Sequence, residues 1–166
     1  MIENSEPGDQ LIPVIPSLAG HLSTSICYDA DFPRHMRQLG DKKSDVLFLP
    51  SGDWYSIAPY HSYMAAFRGI ENGCSVVRQV SGGLSIISDY RGKISLKDDF
   101  FKEGEKLWVT DAQFGHVPTV YSSIGDLLAY LCLLVATICI IYLLARNIRR
   151  SILKRKGQAA YVIACE

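Results

Sequence analysis

Residues 23–35 read STSICYDADFPRH and set a cysteine at the end of a strand-like run, with Tyr28, Asp29, Asp31, Phe32 and Pro33 directly behind it. From the residues alone two readings of Cys27 stay open: a small buried filler, or a nucleophile held on a turn. A thiolate is the attacking species, so a reactive cysteine needs a base or a positive setting beside it. A turn from strand to helix exposes the sulfur and can aim backbone N–H groups at the oxyanion formed on an attacked carbonyl. Asp29 and Asp31 work against a thiolate unless cations compensate them. A second polar group follows the next apolar run, with Asp53 and Trp54 in SGDW and then His61 in PYHSYM. Sites of α/β proteins sit at such strand ends, although capping and packing of the following helix account for these residues equally well. The small residues of VSGGLS lack the surroundings of a phosphate loop and are a weak phosphate signal.

Other chemistries find little support. The five cysteines, Cys27, Cys74, Cys132, Cys139 and Cys165, form no CxxC or zinc spacing, and an odd, scattered set argues against a disulfide framework. His21, His35, His61 and His116 have no ligand spacing, so no metal and no cofactor is expected. With 17 basic and 17 acidic residues the balance gives no reason to expect nucleic acid.

The elements that must position these residues can be read in outline. LIPVI (11–15), HLSTSIC (21–27) and DVLFLP (45–50) are expected strands. DFPRHMRQLGDKKS (31–44) reads as a short helix capped by Asp31, opened by Pro33 and stopped by Gly40. PYHSYMAAFRGIEN (59–72) is the clearest helix, with Tyr60, Tyr63, Met64, Phe67, Ile70 and Glu71 near helical spacing and Gly73 as its C-cap. CSVVRQV, GLSIISDYRGKISL and EKLWVTDAQF (105–114) follow as strands, with a hairpin turn at Gly92. This order predicts a layered α/β fold with a mixed sheet.

Leu127 to Ala145 contains no charged residue, Pro or Gly, and Arg146 to Lys156 then holds six Lys or Arg and no acid. Such a run is long enough to span a bilayer as a helix, and the basic cluster beside it predicts a cytoplasmic C-terminus. The expected organisation is an extracytoplasmic domain over 1–121, a connector over 122–126, a single membrane span over 127–145 and a basic cytoplasmic tail over 146–166. Nothing at the N-terminus has the pattern of a signal peptide.

ICYDADFPRHMRQ, then SDVLFLPSGDW, then HSYMAAFRGIENGCSVVRQVSGGLSIISDYRGK, resemble in order and spacing the carbon-nitrogen hydrolase (nitrilase) superfamily. Within it they are similar to the membrane-bound branch that includes bacterial apolipoprotein N-acyltransferase. The resemblance runs from about Glu6 to Tyr121 and implies the C-terminal part of an α-β-β-α sandwich followed by one transmembrane helix. It implies that Cys27 is the nucleophile of a Glu-Lys-Cys set, that the Tyr28 N–H helps hold the oxyanion, and that Asp29 is an orienting carboxylate. Asp53, Trp54 and His61 would line the substrate cavity, and Arg68 and Glu71, three apart, would pair on their helix.

The family's base Glu and its Lys both precede the Cys, yet none of the 26 residues before Cys27 is Lys. Glu3 and Glu6 lie just before the turn at Pro7, Gly8 and Asp9 and match no base, while Lys42 and Lys43 come after the nucleophile in an expected solvated loop. The expectation is therefore the C-terminal part of a longer enzyme, Met1 being an internal or misassigned start, with one sheet face uncovered by the missing N-terminal half. Three functions follow. The first is a membrane-bound N-acyltransferase carrying an acyl chain from phospholipid through Cys27 to a lipoprotein amine, with the bilayer and the N-terminal half as partners. The second is an amidase or nitrilase acting on a small amide, and the third a non-catalytic membrane-tethered remnant.

Overall fold

The computed structural model describes residues 9–103 and 106–163, with the backbone alone described at 103 and over 151–163. Glu3, Glu6, Pro7, Gly8 and Cys165 lie outside the described residues. The chain divides into two compact units, 1–125 and 126–166.

Among its described residues the first unit has eight strands: β1 (Val14–Pro16), β2 (His21–Thr24), β3 (Val46–Phe48), β4 (Ser51–Gly52), β5 (Ser75–Arg78), β6 (Val80–Ser81), β7 (Leu84–Ser88) and β8 (Ile94–Asp99). Six of them form a mixed sheet in the order β1-β2-β3-β5-β7-β8, and β4 pairs with β6 in parallel beyond the ends of β3 and β5. β2, β3 and β5 run parallel, and the outer pairs are antiparallel. Parallel neighbours need crossovers, supplied here by α1 (Pro33–Met36) with α2 (Gln38–Asp41), and by α3 (Ala58–Asn72). Met36, Leu39 and Ala65 from these helices meet Leu47, Leu49 and Val76 of the sheet in one fully buried cluster.

Side chains alternate across a strand, so the row in register with Phe48, namely Val77, Ile87 and Leu96, occupies the opposite face. Phe48 there remains 41% exposed. The expected strand over 105–114 is absent: residues 106–119 have no regular structure. They pair with neither sheet edge, because Ser75 Oγ donates to the Gln113 carbonyl and the Val117 N–H to that of Gly73. A cavity of about 480 Å³ lies between Leu107 and Trp108 and the Val77–Ile87–Leu96 row.

Four further expectations need correction. The strand read over 21–27 stops at Thr24, and Cys27 to Asp31 form a 3₁₀ turn instead. Asp31 is not a helix cap: Phe32 holds that position, and the Asp31 carboxylate turns to His61. Gly40 does not stop the helix but lies inside α2, where a Cβ would meet that of Ser122 at 2.5 Å. It permits the close approach of α5 (Val120–Ile124), which follows the short α4 (Phe100–Glu103) and runs into the expected connector. Lys42 is not free in solvent, since its Nζ donates to the Ile12 carbonyl at 2.6 Å.

Helix α3 ends at Gly73, whose φ of 70° gives the left-handed cap expected of it. Its buried residues are Ala58, Ser62, Ala65, Ala66 and Gly69, with the polar His61, Arg68 and Asn72. Tyr60, Tyr63, Phe67 and Ile70 face outward. A helix pressed on a sheet needs small residues at the contact: a Cβ on Gly69 would meet the Cys74 carbonyl oxygen at 2.7 Å. The second unit is α6 (Leu127–Ile163), which begins where the apolar run begins and continues past it. Its stretch Leu127–Arg150 is long and apolar enough to cross a membrane.

Candidate active site

The C-terminal ends of β2, β3 and β5 bring one loop each to a common edge of the sheet, the place where α/β folds put their chemistry. After β2, Cys27 opens the 3₁₀ turn with a φ of 44°. An L-residue other than Asn or Asp rarely takes that left-handed conformation. The Cys27 N–H donates to the Pro50 carbonyl at 3.0 Å, and its Sγ lies 3.5 Å from the Gly52 carbonyl oxygen. Cys27 is therefore tied to the β3–β4 segment while its side chain stays half-buried.

Asp29 braces the same turn from within. Its Oδ2 accepts from the Ile26 N–H at 2.9 Å and from Ser25 Oγ at 3.0 Å. A single carboxylate oxygen that accepts both bonds ties the start of the turn to the end of the strand before it. The Tyr28 N–H, in the first turn of a short helix, has no acceptor within that helix and stands next to the sulfur-bearing residue. The Tyr28 ring is exposed and packs edge-on against Phe32 at 5.4 Å between centroids. Ile26, Tyr28 and Phe32 on this turn, and Trp54 and Tyr55 after β4, are all more than half exposed.

Behind the turn lies a network of four ionisable side chains, Asp31, Asp53, His61 and Arg78. His61 Nε2 is 2.9 Å from Asp31 Oδ2, and Nδ1 is 3.0 Å from Asp53 Oδ1. Arg78 Nη2 donates to both Asp53 oxygens, at 3.0 and 2.9 Å, and Nη1 donates to the His61 carbonyl. The Asp53 carboxylate is fully buried, Arg78 is 1% exposed and the His61 side chain 6%. Gly83 lets the Asp53 loop in, because a Cβ there would meet the Asp53 Cβ at 2.9 Å.

The structure thus brings Cys27, Tyr28, Asp29, Asp53 and His61 to one edge, with Trp54 exposed on the Asp53 loop. Both ring nitrogens of His61 are engaged and its side chain is 6% exposed. Sequence reasoning missed Asp31 and Arg78 as members of the site. Arg78 carried a usable signal, a lone charge inside the otherwise apolar and small run of a buried strand, which demands a buried partner. Arg68 and Glu71 form their ion pair on α3 at 2.5 Å, outside this network.

Burial lowers the His61 pKa, but the hydrogen bonds to Asp53 and then Asp31, with their charges, outweigh it and raise the pKa above 6.5. A histidine with a raised folded pKa stabilises fully below its unfolded value, near 6.5. That contribution is lost as pH rises through the folded value. The urea midpoint of the domain is therefore expected to fall as the pH rises above about 6.5, with an unchanged denaturant slope, and His61→Gln should flatten this dependence. A midpoint that rises over the same range would contradict the assignment. Cys74, in the core beneath, is pushed up to about 12 by burial and by the charge of Asp45.

A mixed sheet with helices on one face and three polar loops converging at its parallel-strand ends defines an α/β protein. Residues 3–117 match the carbon-nitrogen hydrolase family, and the chain belongs to that family. It is similar to the apolipoprotein N-acyltransferase of Geobacter metallireducens, 30% identical over 135 residues that cover 79% of this chain and 25% of that protein. Apolipoprotein N-acyltransferase 1 of Treponema denticola is 30% identical over 140 residues, covering 80% of this chain and 25% of that protein. The chain thus spans about a quarter of the length of these curated relatives. Among solved structures, Nit3 of Saccharomyces cerevisiae, a member of branch 10 of the nitrilase superfamily, superposes with a TM-score of 0.52 at 26% identity, over 57% of this chain and 38% of that one. The carbon-nitrogen hydrolase of Helicobacter pylori G27 shares the fold, with a TM-score of 0.51 at 18% identity, over 57% of this chain and 41% of that one.

Proposed function

We propose that this chain is the nucleophile-bearing part of a membrane-anchored N-acyltransferase that works through a thioester on Cys27. The left-handed Cys27 turn carries the reading, because a strained non-glycine residue persists only where its surroundings hold it. In the first half-reaction the Cys27 thiolate attacks the ester carbonyl of a phospholipid. The oxyanion is received by the Tyr28 N–H, and collapse expels the lysolipid alkoxide, which takes up a proton. In the second, a lipoprotein amine attacks the thioester, forms an amide and returns the thiolate. Asp29 orients the turn and does not move protons. The base Glu and the Lys of the family set would come from polypeptide outside these 166 residues, which would also cover the Phe48 face of the sheet.

Three observations favour a lipid substrate. The apolar rim of Ile26, Tyr28, Phe32, Trp54 and Tyr55 frames the cysteine, and large exposed apolar patches of this kind mark binding sites. The relatives named acyltransferases cover most of this chain, and α6 is long and apolar enough to hold the domain at a bilayer. The basic residues from Arg146 onward would lie in the cytoplasm, and residues 1–121 outside it.

The test is capture of the intermediate. Membranes carrying this chain together with the family's Glu- and Lys-bearing part are incubated with a phospholipid whose acyl chain is labelled. The expected outcome is a hydroxylamine-labile adduct on the peptide containing Cys27, absent in Cys27→Ala, that passes to an added lipopeptide amine. Loss of the adduct to water with no transfer would instead identify a hydrolase, and no adduct at all would support a non-catalytic chain.

A further inference from the structure

We propose that His61 is a positioning residue for Cys27: as an imidazolium it ties Asp31, the last residue of the turn that Cys27 opens, to Asp53 on the neighbouring loop. This deepens the reading of Cys27 as nucleophile and rests on it. Both ring nitrogens face carboxylate oxygens, at 2.9 and 3.0 Å. Ionised carboxylates only accept hydrogen bonds, so both nitrogens must carry protons for both bonds to form. Two carboxylates, one imidazolium and the Arg78 guanidinium then make a buried group with no net charge, the arrangement that low dielectric favours.

The network reaches Cys27 along a short, continuous path. Arg78, anchored in β5, grips Asp53 with two bonds; Asp53 holds Nδ1, and Nε2 holds Asp31. Asp31 closes the five-residue turn whose first residue has the left-handed φ. At its near end that turn is fixed by the Cys27 N–H to Pro50 and by Asp29, and its far end is held through His61. The charged and titratable groups around the ring are Asp31 and Tyr28 from the turn, Asp53 from its loop and Arg78 from β5, with the Tyr28 ring 6.4 Å away. Once the imidazolium loses a proton, one nitrogen has nothing to donate. One of the two carboxylates is released, and the turn is freed at its far end.

Nucleophile position matters steeply, since a misplacement of about 1 Å can cost about 10²-fold in rate. A turn held less tightly also exposes the sulfur more to a small reagent. The test is alkylation of Cys27 by iodoacetamide in the 166-residue chain in membranes, read by mass spectrometry of the Cys27 peptide, for wild type and His61→Gln. At about pH 6 the variant should react about tenfold faster, reflecting release of the strained turn. The ratio should fall toward one as the pH rises through the folded pKa of His61, which its two carboxylate partners raise above 6.5. A ratio near one throughout, or a raised ratio that does not change with pH, overturns the proposal, because a packing role alone has no titration.

Alkylation of the core Cys74 would reveal a variant that has unfolded, and the wild-type protein then decides. Nitrogen-15 spectra of His61 should contain two slowly exchanging ring N–H resonances at neutral pH, whereas a single neutral tautomer would overturn the bridge. Failure of the nucleophile reading is a separate result, namely no thioester on Cys27 from the acyl donor, and it leaves the pH-dependent alkylation ratio readable.

Discussion

Arg78→Met is expected to destabilise the domain by about 3–5 kcal/mol, the cost of removing one partner of a buried ion pair. Arg78 is 1% exposed and the Asp53 carboxylate fully buried, so water cannot take the place of the lost guanidinium. Asp53 would keep its bond to His61 but lose the two from Arg78 Nη2. The His61 carbonyl would lose its bond to Nη1 as well. Urea unfolding followed by far-UV circular dichroism measures the loss as a lowered midpoint with the slope preserved. Adding Asp53→Asn to Arg78→Met removes the stranded charge, and the double variant should recover part of the loss, a coupling expected of residues in one network. A shift below about 1 kcal/mol for Arg78→Met would mean that the network is not load carrying in the folded domain, as is common for exposed pairs.

That network also marks where a reading of the sequence runs out. Features set by neighbours in the chain were legible: the apolar run that starts α6 at Leu127, the left-handed Gly73 and Gly92, and the Arg68–Glu71 pair on one helical face. The family resemblance placed Cys27 on a turn, and the left-handed φ there is a property that no local propensity would assign to cysteine. What failed depends on contacts far apart in sequence. Asp31 looked like a cap because Asp caps helices, yet its partner is 30 residues away on α3. The outer face of α3 carries the large side chains because its inner face meets the sheet at Gly69 and Ala65, and hydrophobic spacing cannot tell which of two apolar stripes faces inward. The segment after Lys106 has strand-like composition but joins neither sheet edge, and its Gln113 carbonyl is held instead by Ser75 Oγ.

The cysteines give the remaining large contrast, because they sit in three different environments. At pH 8 a thiol whose pKa is near 12, as for Cys74, has a thiolate population about three orders of magnitude below that of an ordinary exposed thiol. Cys74 is also fully buried. Cys27 is half-buried at the sheet edge, and Cys132 and Cys139 are exposed along α6. In membranes, iodoacetamide should therefore modify Cys74 about 10³-fold more slowly than a free cysteine peptide, and Cys27 faster than Cys74 because its side chain is not sealed in the core. If α6 spans the bilayer as proposed, Cys132 and Cys139 should resist a water-soluble, impermeant maleimide as well, since hydrocarbon excludes both the reagent and the thiolate. In right-side-out vesicles that maleimide should still reach Cys27, whereas in inverted vesicles it should not. Rapid labelling of Cys132 and Cys139 in intact membranes would remove α6 from the bilayer. It would leave the Cys27-to-Cys74 contrast untouched, because that contrast depends only on the burial of Cys74 and the exposed turn that bears Cys27. Labelling of Cys74 at the rate of Cys27 would instead mean that the core beneath α3 opens readily, and a site assembled from three strand ends could not then hold its nucleophile in place.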